Sequence, residues 1–233
     1  YFIMVVSMGY TRQSVSIGLA LLGFLALEKG QFYKSIFYIF LGTTFHRSGV
    51  LFFYAPLIYT FQGSRFNNLI KFILTIPVGY FFIDNFILSQ FASYRSGYLD
   101  QQLSSQGSLI RIVLCIIPSL IFIFNLRKFN LSKISKKIYL VMALMSFIAL
   151  LLLAIVSSSA VIDRLALNLI PLQILVSSYI PDMHLLKIGK FPWKVFITIF
   201  AFFVLSVWLL FATHSHCWIP YRNVLYQFDK FNF

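Results

Sequence analysis

Two short polar runs are set in otherwise apolar sequence, Gly9-Tyr10-Thr11-Arg12-Gln13 and Phe45-His46-Arg47-Ser48-Gly49. His46 can take or give a proton near neutral pH, and Arg47 beside it carries permanent charge. Arg12, at helix depth in a membrane, costs several kcal/mol (about 2.5–3.5 on insertion scales) unless it is paired or wetted, which makes it a functional candidate. The alternative is snorkelling to an interface or a structural pairing with Asp84. Gln13 can orient a substrate hydroxyl or tie helices together. Ser48 can cap a second half-helix, whose N-terminus would then favour anions. The plainer reading of His46–Ser48 is a polar hinge satisfied internally, which leaves a fixed cation beside a titratable ring unexplained.

The elements that carry these residues belong to a membrane. Of 233 residues, 60% are hydrophobic and 11% charged, with mean hydropathy +0.86; a soluble chain carries about 25% charged residues. Apolar runs cover roughly 2–27, 33–45, 49–61, 69–89, 109–126, 137–157, 164–180 and 194–213. The expected fold is an all-α, polytopic transmembrane bundle forming a single integral membrane domain over 1–233. Its net charge of +13 sits in short loops between apolar runs, the pattern of membrane topology rather than of nucleic-acid binding. Cys115 and Cys217 make neither a disulfide framework nor a metal spacing. The chain opens inside an apolar run, without Met, and reads as the C-terminal part of a longer chain with further helices before it.

Positive charge orients the bundle. The densest loop, with Arg127, Lys128, Lys133, Lys136 and Lys137, is expected on the cytoplasmic side, together with the turn bearing Lys29 and Lys34. Segments 33–45 and 49–61 are too short to cross alone, since a span needs about 20 residues. Residues 33–61 are therefore expected to form a re-entrant hairpin that leaves the cytoplasmic face and returns to it. This layout puts ten of eleven lysines inside and six of eight arginines outside, namely Arg12, Arg47, Arg95, Arg111, Arg164 and Arg222. Outer arginines run against the positive-inside tendency, and Arg suits bidentate phosphate recognition. Helical rise places Arg12 roughly 24 Å, and His46 and Asp84 roughly 20 Å, above the cytoplasmic edge.

The outer loop 90–108 offers Tyr94, Arg95, Tyr98, Asp100, Gln101 and Gln102, types that line sugar-binding surfaces and equally suit an interfacial aromatic belt. Asp163 and Arg164 begin a helix at the outer face, with Asp163 as a candidate N-terminal cap. The tail 214–233 places His214, His216, Tyr221 and Arg222 at the outer boundary; its His-Ser-His lacks the partners of a metal site. Nucleotide-binding and hydrolase motifs are absent from the sequence.

The stretch GYTRQSVSIGLALLGFLALEKGQFYKSIFYIFLGTTFHRSGVLFFYAPL resembles the EpsG-type, Wzy-like family of O-antigen and exopolysaccharide polymerases. In that family a Gly-Tyr-x-Arg-Gln start precedes an apolar run, a basic turn and Phe-His-(Lys/Arg)-Ser. DRLALNLIPLQIL and WIPYRNVLY look like its later arginine-bearing helix and terminal Pro-Tyr motif. The resemblance implies a glycosyltransferase in the bacterial inner membrane, active on the periplasmic face, that polymerises undecaprenyl-pyrophosphate-linked oligosaccharide repeats without cofactor or metal. Membrane lipid and a chain-length regulator would be its partners. Arg12, Arg47 and Arg164 would hold pyrophosphate, with His46 or Asp84 as base. Gln13, Ser48, Tyr94, Arg95, Tyr98, Tyr221 and Arg222 are the further substrate-binding candidates, with lipid tails against the apolar flanks. A flippase for the same lipid would need arginines in the cytoplasmic half as well. An O-antigen ligase would share the chemistry, while an acyltransferase would need a cytoplasmic acyl-CoA route.

Overall fold

The computed structural model describes residues 9–61, 105, 107–156, 158–182 and 193–211. All regular structure among them is helical. Helices α1 (Thr11–Glu28) and α2 (Phe32–Phe45) are followed by a 3-10 segment (Arg47–Phe53) and α3 (Tyr54–Thr60). Then come α4 (Ser108–Phe124), α5 (Lys133–Ile155), α6 (Ser159–Ala166), a 3-10 turn (Leu167–Leu169), α7 (Ile170–Tyr179), a 3-10 turn (Ile180–Asp182) and α8 (Trp193–Phe211). Lys133–Ile155, Ser159–Tyr179 and Trp193–Phe211 are long and apolar enough to cross a membrane, and Ser108–Phe124 is a shorter apolar helix. The many exposed Phe, Leu and Ile side chains of α5 and α8 fit a lipid surround.

The turn after α1 is dictated by Gly30. Its φ of +74° is open to glycine at no steric cost. There Gly30 N–H donates to Leu27 O at 3.0 Å and Gln31 N–H to Ala26 O at 2.8 Å, the paired bonds of a Schellman motif. The chain reverses at once, and α2 lies along α1 through small residues. A Cβ built on Gly42 would stand 3.1 Å from Ser16 O, and one on Gly23 2.9 Å from Ile39 Cγ1. Small side chains let helix axes approach closely where lipid supplies no hydrophobic drive.

The second half of the 33–61 segment differs from a plain half-helix. It starts as 3-10 and becomes α-helical only at Tyr54. Its end returns to where α2 began: the rings of Tyr59 and Phe32 stack with centroids 5.9 Å apart. The loop expected over 158–163 is largely helical, because α6 begins at Ser159. The run then breaks at Leu167–Leu169, just ahead of Pro171 at the start of α7. Proline lacks the N–H for the preceding turn and its ring crowds the carbonyl four residues back, so a tighter turn replaces α geometry.

Long-range bonds fix which ends meet. Ser135 Oγ donates to Glu28 Oε1 at 3.2 Å, and Tyr179 Oη donates to Asn130 O at 3.2 Å. With the Phe32–Tyr59 stack, these gather the ends carrying Lys29, Lys34, Lys133, Lys136 and Lys137. At the opposite end lie the start of α1, the end of α2, the start of α4 and α6. Arg12, Arg47, Arg111 and Arg164 are all there. The described lysines and arginines of these elements are thus sorted to two ends of one bundle. The core between them is built on Phe24, Phe52, Phe122, Ile138, Met142 and Leu172.

Candidate functional site

The site is assembled where α2 stops. His46 has extended backbone (φ −147°, ψ 126°) and caps the following 3-10 segment, its side chain accepting from Ser48 N–H at 3.3 Å. The cap is therefore His46 and not Ser48, whose side chain is committed elsewhere. Ser48 Oγ lies 2.7 Å from His46 Nδ1 and donates to Asn168 Oδ1 at 3.1 Å. Gln13 Nε2 donates to Ser48 Oγ at 3.3 Å and to the Arg164 carbonyl at 2.8 Å. Asn168 Nδ2 donates to Leu165 O at 3.1 Å. Three separate stretches, the start of α1, the tip after α2 and the α6–α7 break, converge on one hydroxyl.

The bond count constrains the imidazole. A serine hydroxyl has one proton and two lone pairs. When that proton goes to Asn168 and one lone pair takes Gln13, the remaining lone pair faces Nδ1 at 2.7 Å. That contact is a hydrogen bond if Nδ1 carries the hydrogen, which leaves the Nε2 lone pair to act as a base. In the other arrangement Nδ1 accepts from Ser48 N–H and from Oγ–H, and Asn168 Oδ1 loses its donor. The first arrangement keeps the bond to Asn168 Oδ1 and gives up the 3.3 Å contact from Ser48 N–H, and it is the one compatible with a proton arriving at Nε2. Arg47 and Arg164 are the charged groups that act on the ring.

Packing holds the tip in place. Gly49 N–H donates to His46 O at 2.9 Å, and a Cβ on Gly49 would stand 2.4 Å from Ser16 Oγ and 3.2 Å from the Thr43 backbone. No side chain fits there, so the chain after Ser48 runs flush against α1. Gln13 is 2% exposed and Asn168 3% exposed, so both are fixed parts of the wall. Arg12 is exposed in the first turn of α1, Arg47 is half-buried and Arg164 is exposed.

Asp163 is no helix cap. It lies late in α6, buried, where its carboxylate pairs with Arg111 of α4 and accepts from Ser105 Oγ at 2.9 Å. Arg111 Nη2 also donates to Ser105 Oγ at 2.8 Å, and Ser105 N–H donates to Ser159 Oγ at 2.8 Å. This cluster fastens α6 to α4. The sequence singled out neither Arg111 as a partner nor Asn168 as a site residue. A lone Asn three residues before a proline in an apolar run was the available signal for the latter.

Of the residues expected to form the site, Gln13, His46, Arg47, Ser48 and Arg164 are brought together, with Arg12 next to Gln13 in the chain. Asp84, Tyr94, Arg95, Tyr98, Tyr221 and Arg222 lie outside the described residues. Among the described residues, no group of His, Cys, Asp and Glu is arranged to hold a metal ion.

Curated proteins and solved structures give no significant match to the chain. A family model described as the EpsG family matches residues 1–223, a span that takes in every element of the site. The chain, a membrane protein whose described regular structure is all helical, with the Gln13–Ser48–His46–Asn168 network at one end of its bundle, belongs to the EpsG family.

Proposed function

We propose that the protein is a membrane glycosyltransferase that polymerises undecaprenyl-pyrophosphate-linked oligosaccharide repeats on the outer face of the inner membrane. Membership of the EpsG family supports a polymerase of this kind. The observation that carries the reading is the single hydroxyl of Ser48, held by Gln13 and Asn168, which orients His46 beside two arginines.

In this reading the acceptor sugar's hydroxyl oxygen attacks the anomeric carbon of the growing chain. The bond from that carbon to the pyrophosphate oxygen breaks, and the hydroxyl proton passes to His46 Nε2. Arg47 and Arg164, with Arg12 nearby, meet the charge that builds on the departing lipid pyrophosphate. Preorganised donors of this kind are worth about 10²–10³ in rate for each one removed. Residues 33–61 then act as a re-entrant hairpin whose tip presents His46 to the outer leaflet. Non-helical backbone at that depth is tolerated when it is packed in protein or lines a wet cavity, which the Gly49–Ser16 contact supplies on one side.

Complementation of a polymerase-deficient strain tests the reading. His46→Ala, produced at wild-type level, is expected to lose long-chain surface polysaccharide. An unchanged ladder would remove His46 from the reaction.

A further inference from the structure

Beside the hydroxyl network lies a second feature that the reaction has not used. A cavity of about 250 Å³ opens between α5, the 3-10 segment after His46 and the α6–α7 break. Its wall includes Tyr54, Met142, Met145, Leu152, Leu165 and Asn168. The polar atoms of that wall already have partners. Tyr54 Oη donates to Ile138 O at 3.3 Å, and both side-chain groups of Asn168 are bonded, to Ser48 and Leu165. A cavity with no polar group in need of water stays dry; one of roughly 150 Å³ already admits benzene.

We propose that this cavity holds the first isoprene units of a polyprenyl pyrophosphate, with the pyrophosphate at the Asn168 end. Placement selects that occupant. Asn168 Oδ1 takes the hydroxyl of Ser48, the chain neighbour of Arg47, and Leu165 of the wall follows Arg164, whose carbonyl accepts from Gln13. The Asn168 side of the cavity therefore lies beside the two chain segments that carry these arginines while its wall is largely apolar, which matches a single chain with a multiply charged head. Met142 and Met145 adapt to irregular contours, so a branched isoprenoid fits without a rigid mould. Ala149, on the same wall, leaves the space that a larger residue would fill. The inference rests on the polymerase reading for the nature of the head group, and it concerns where the chain of that lipid lies.

Photocrosslinking of the full chain in nanodiscs tests it, with undecaprenyl pyrophosphate as the probe. Benzoylphenylalanine at Met145 should capture the lipid about tenfold more than the same group at Leu151, which is exposed and absent from the cavity wall. Excess unlabelled undecaprenyl pyrophosphate should abolish capture, and phosphatidylglycerol should not. Ala149→Phe, checked for an unchanged melting temperature, should weaken binding about tenfold. Equal capture at the two positions, competition by phosphatidylglycerol, or unchanged binding by folded Ala149→Phe would each overturn the proposal. None of these readouts needs polymer. Selective capture together with an unaffected His46→Ala ladder would keep the cavity and reject the polymerase site, and the converse pair would do the reverse.

Discussion

The Ser48 hydroxyl donates to Asn168 Oδ1 at 3.1 Å across 120 residues of sequence. That one bond joins the tip of the first hairpin to the break in the α6–α7 helix. It also decides which way the Ser48 proton points, and hence which nitrogen of His46 is left with a lone pair.

If the bond orients His46, its two ends act as one unit. Ser48→Ala and Asn168→Ala should each slow polymerisation about fivefold, the worth of roughly 1 kcal/mol. The double variant should be little worse than either alone, since the two residues share one interaction. His46→Ala should cost more, toward the 10²–10⁴ of a general base. In-vitro chain extension with a lipid-linked repeat measures all four; simple additivity of the pair would detach the bond from catalysis.

Arg47→Lys and Arg164→Lys keep charge but lose the planar fork that pairs with phosphate oxygens. The Michaelis constant for the lipid-linked donor should rise about tenfold in each, in line with hydrogen bonds to charged groups of about 1.5–3 kcal/mol. Unaltered kinetics in both would place the pyrophosphate elsewhere.

Asp163 and Arg111 form a pair with side chains 5% and 18% exposed. Removing only the carboxylate leaves a buried guanidinium unpaired, a loss of about 3–5 kcal/mol. Asp163→Ala should therefore lower the melting temperature in detergent sharply. Asp163→Leu combined with Arg111→Met should recover much of it, because no buried charge remains.

Glycine substitutions separate packing from composition. Gly49→Ala forces a methyl to within 2.4 Å of Ser16 Oγ and 3.2 Å of the Thr43 backbone, so the His46–Ser48 tip must shift. It should destabilise the protein and reduce activity together. Gly18→Ala meets nothing within 4 Å and should be neutral or slightly stabilising, given the better helix propensity of alanine.

The hairpin has a topological consequence. In a background without Cys217, Gln31→Cys and Phe61→Cys should react with a membrane-impermeant thiol reagent from the same, cytoplasmic side. Both positions are exposed, at the two ends that the Phe32–Tyr59 stack brings together. Thr44→Cys, exposed near the tip, should label from the other side. Opposite-side labelling of positions 31 and 61 would replace the hairpin by a crossing.

Composition alone was enough for the membrane class, because sixty per cent apolar residues in long runs have no other stable solvent. Charge placement was legible too. Lysines and arginines anchor loops at membrane edges: Lys29, Lys34, Lys133, Lys136 and Lys137 gather with Arg127 at one end of the bundle, and Arg12, Arg47, Arg111 and Arg164 at the other. Gly30 and Pro171 wrote local turns directly, since one admits a left-handed backbone and the other removes a donor. The polar residues His46, Arg47 and Ser48 could be picked out because each is costly in lipid without a reason.

Their partners could not be read from one dimension. A hydrogen bond depends on angles and tenths of an ångström, and nothing in the spacing of Gln13, Ser48 and Asn168 specifies that their side chains share one oxygen. Likewise Asp163 had the look of a helix cap until α6 began four residues earlier and turned its carboxylate toward Arg111. Residue type fixed which groups must be satisfied in an apolar medium; only the packed arrangement of α1, the hairpin and the α6–α7 break decided which group satisfies which.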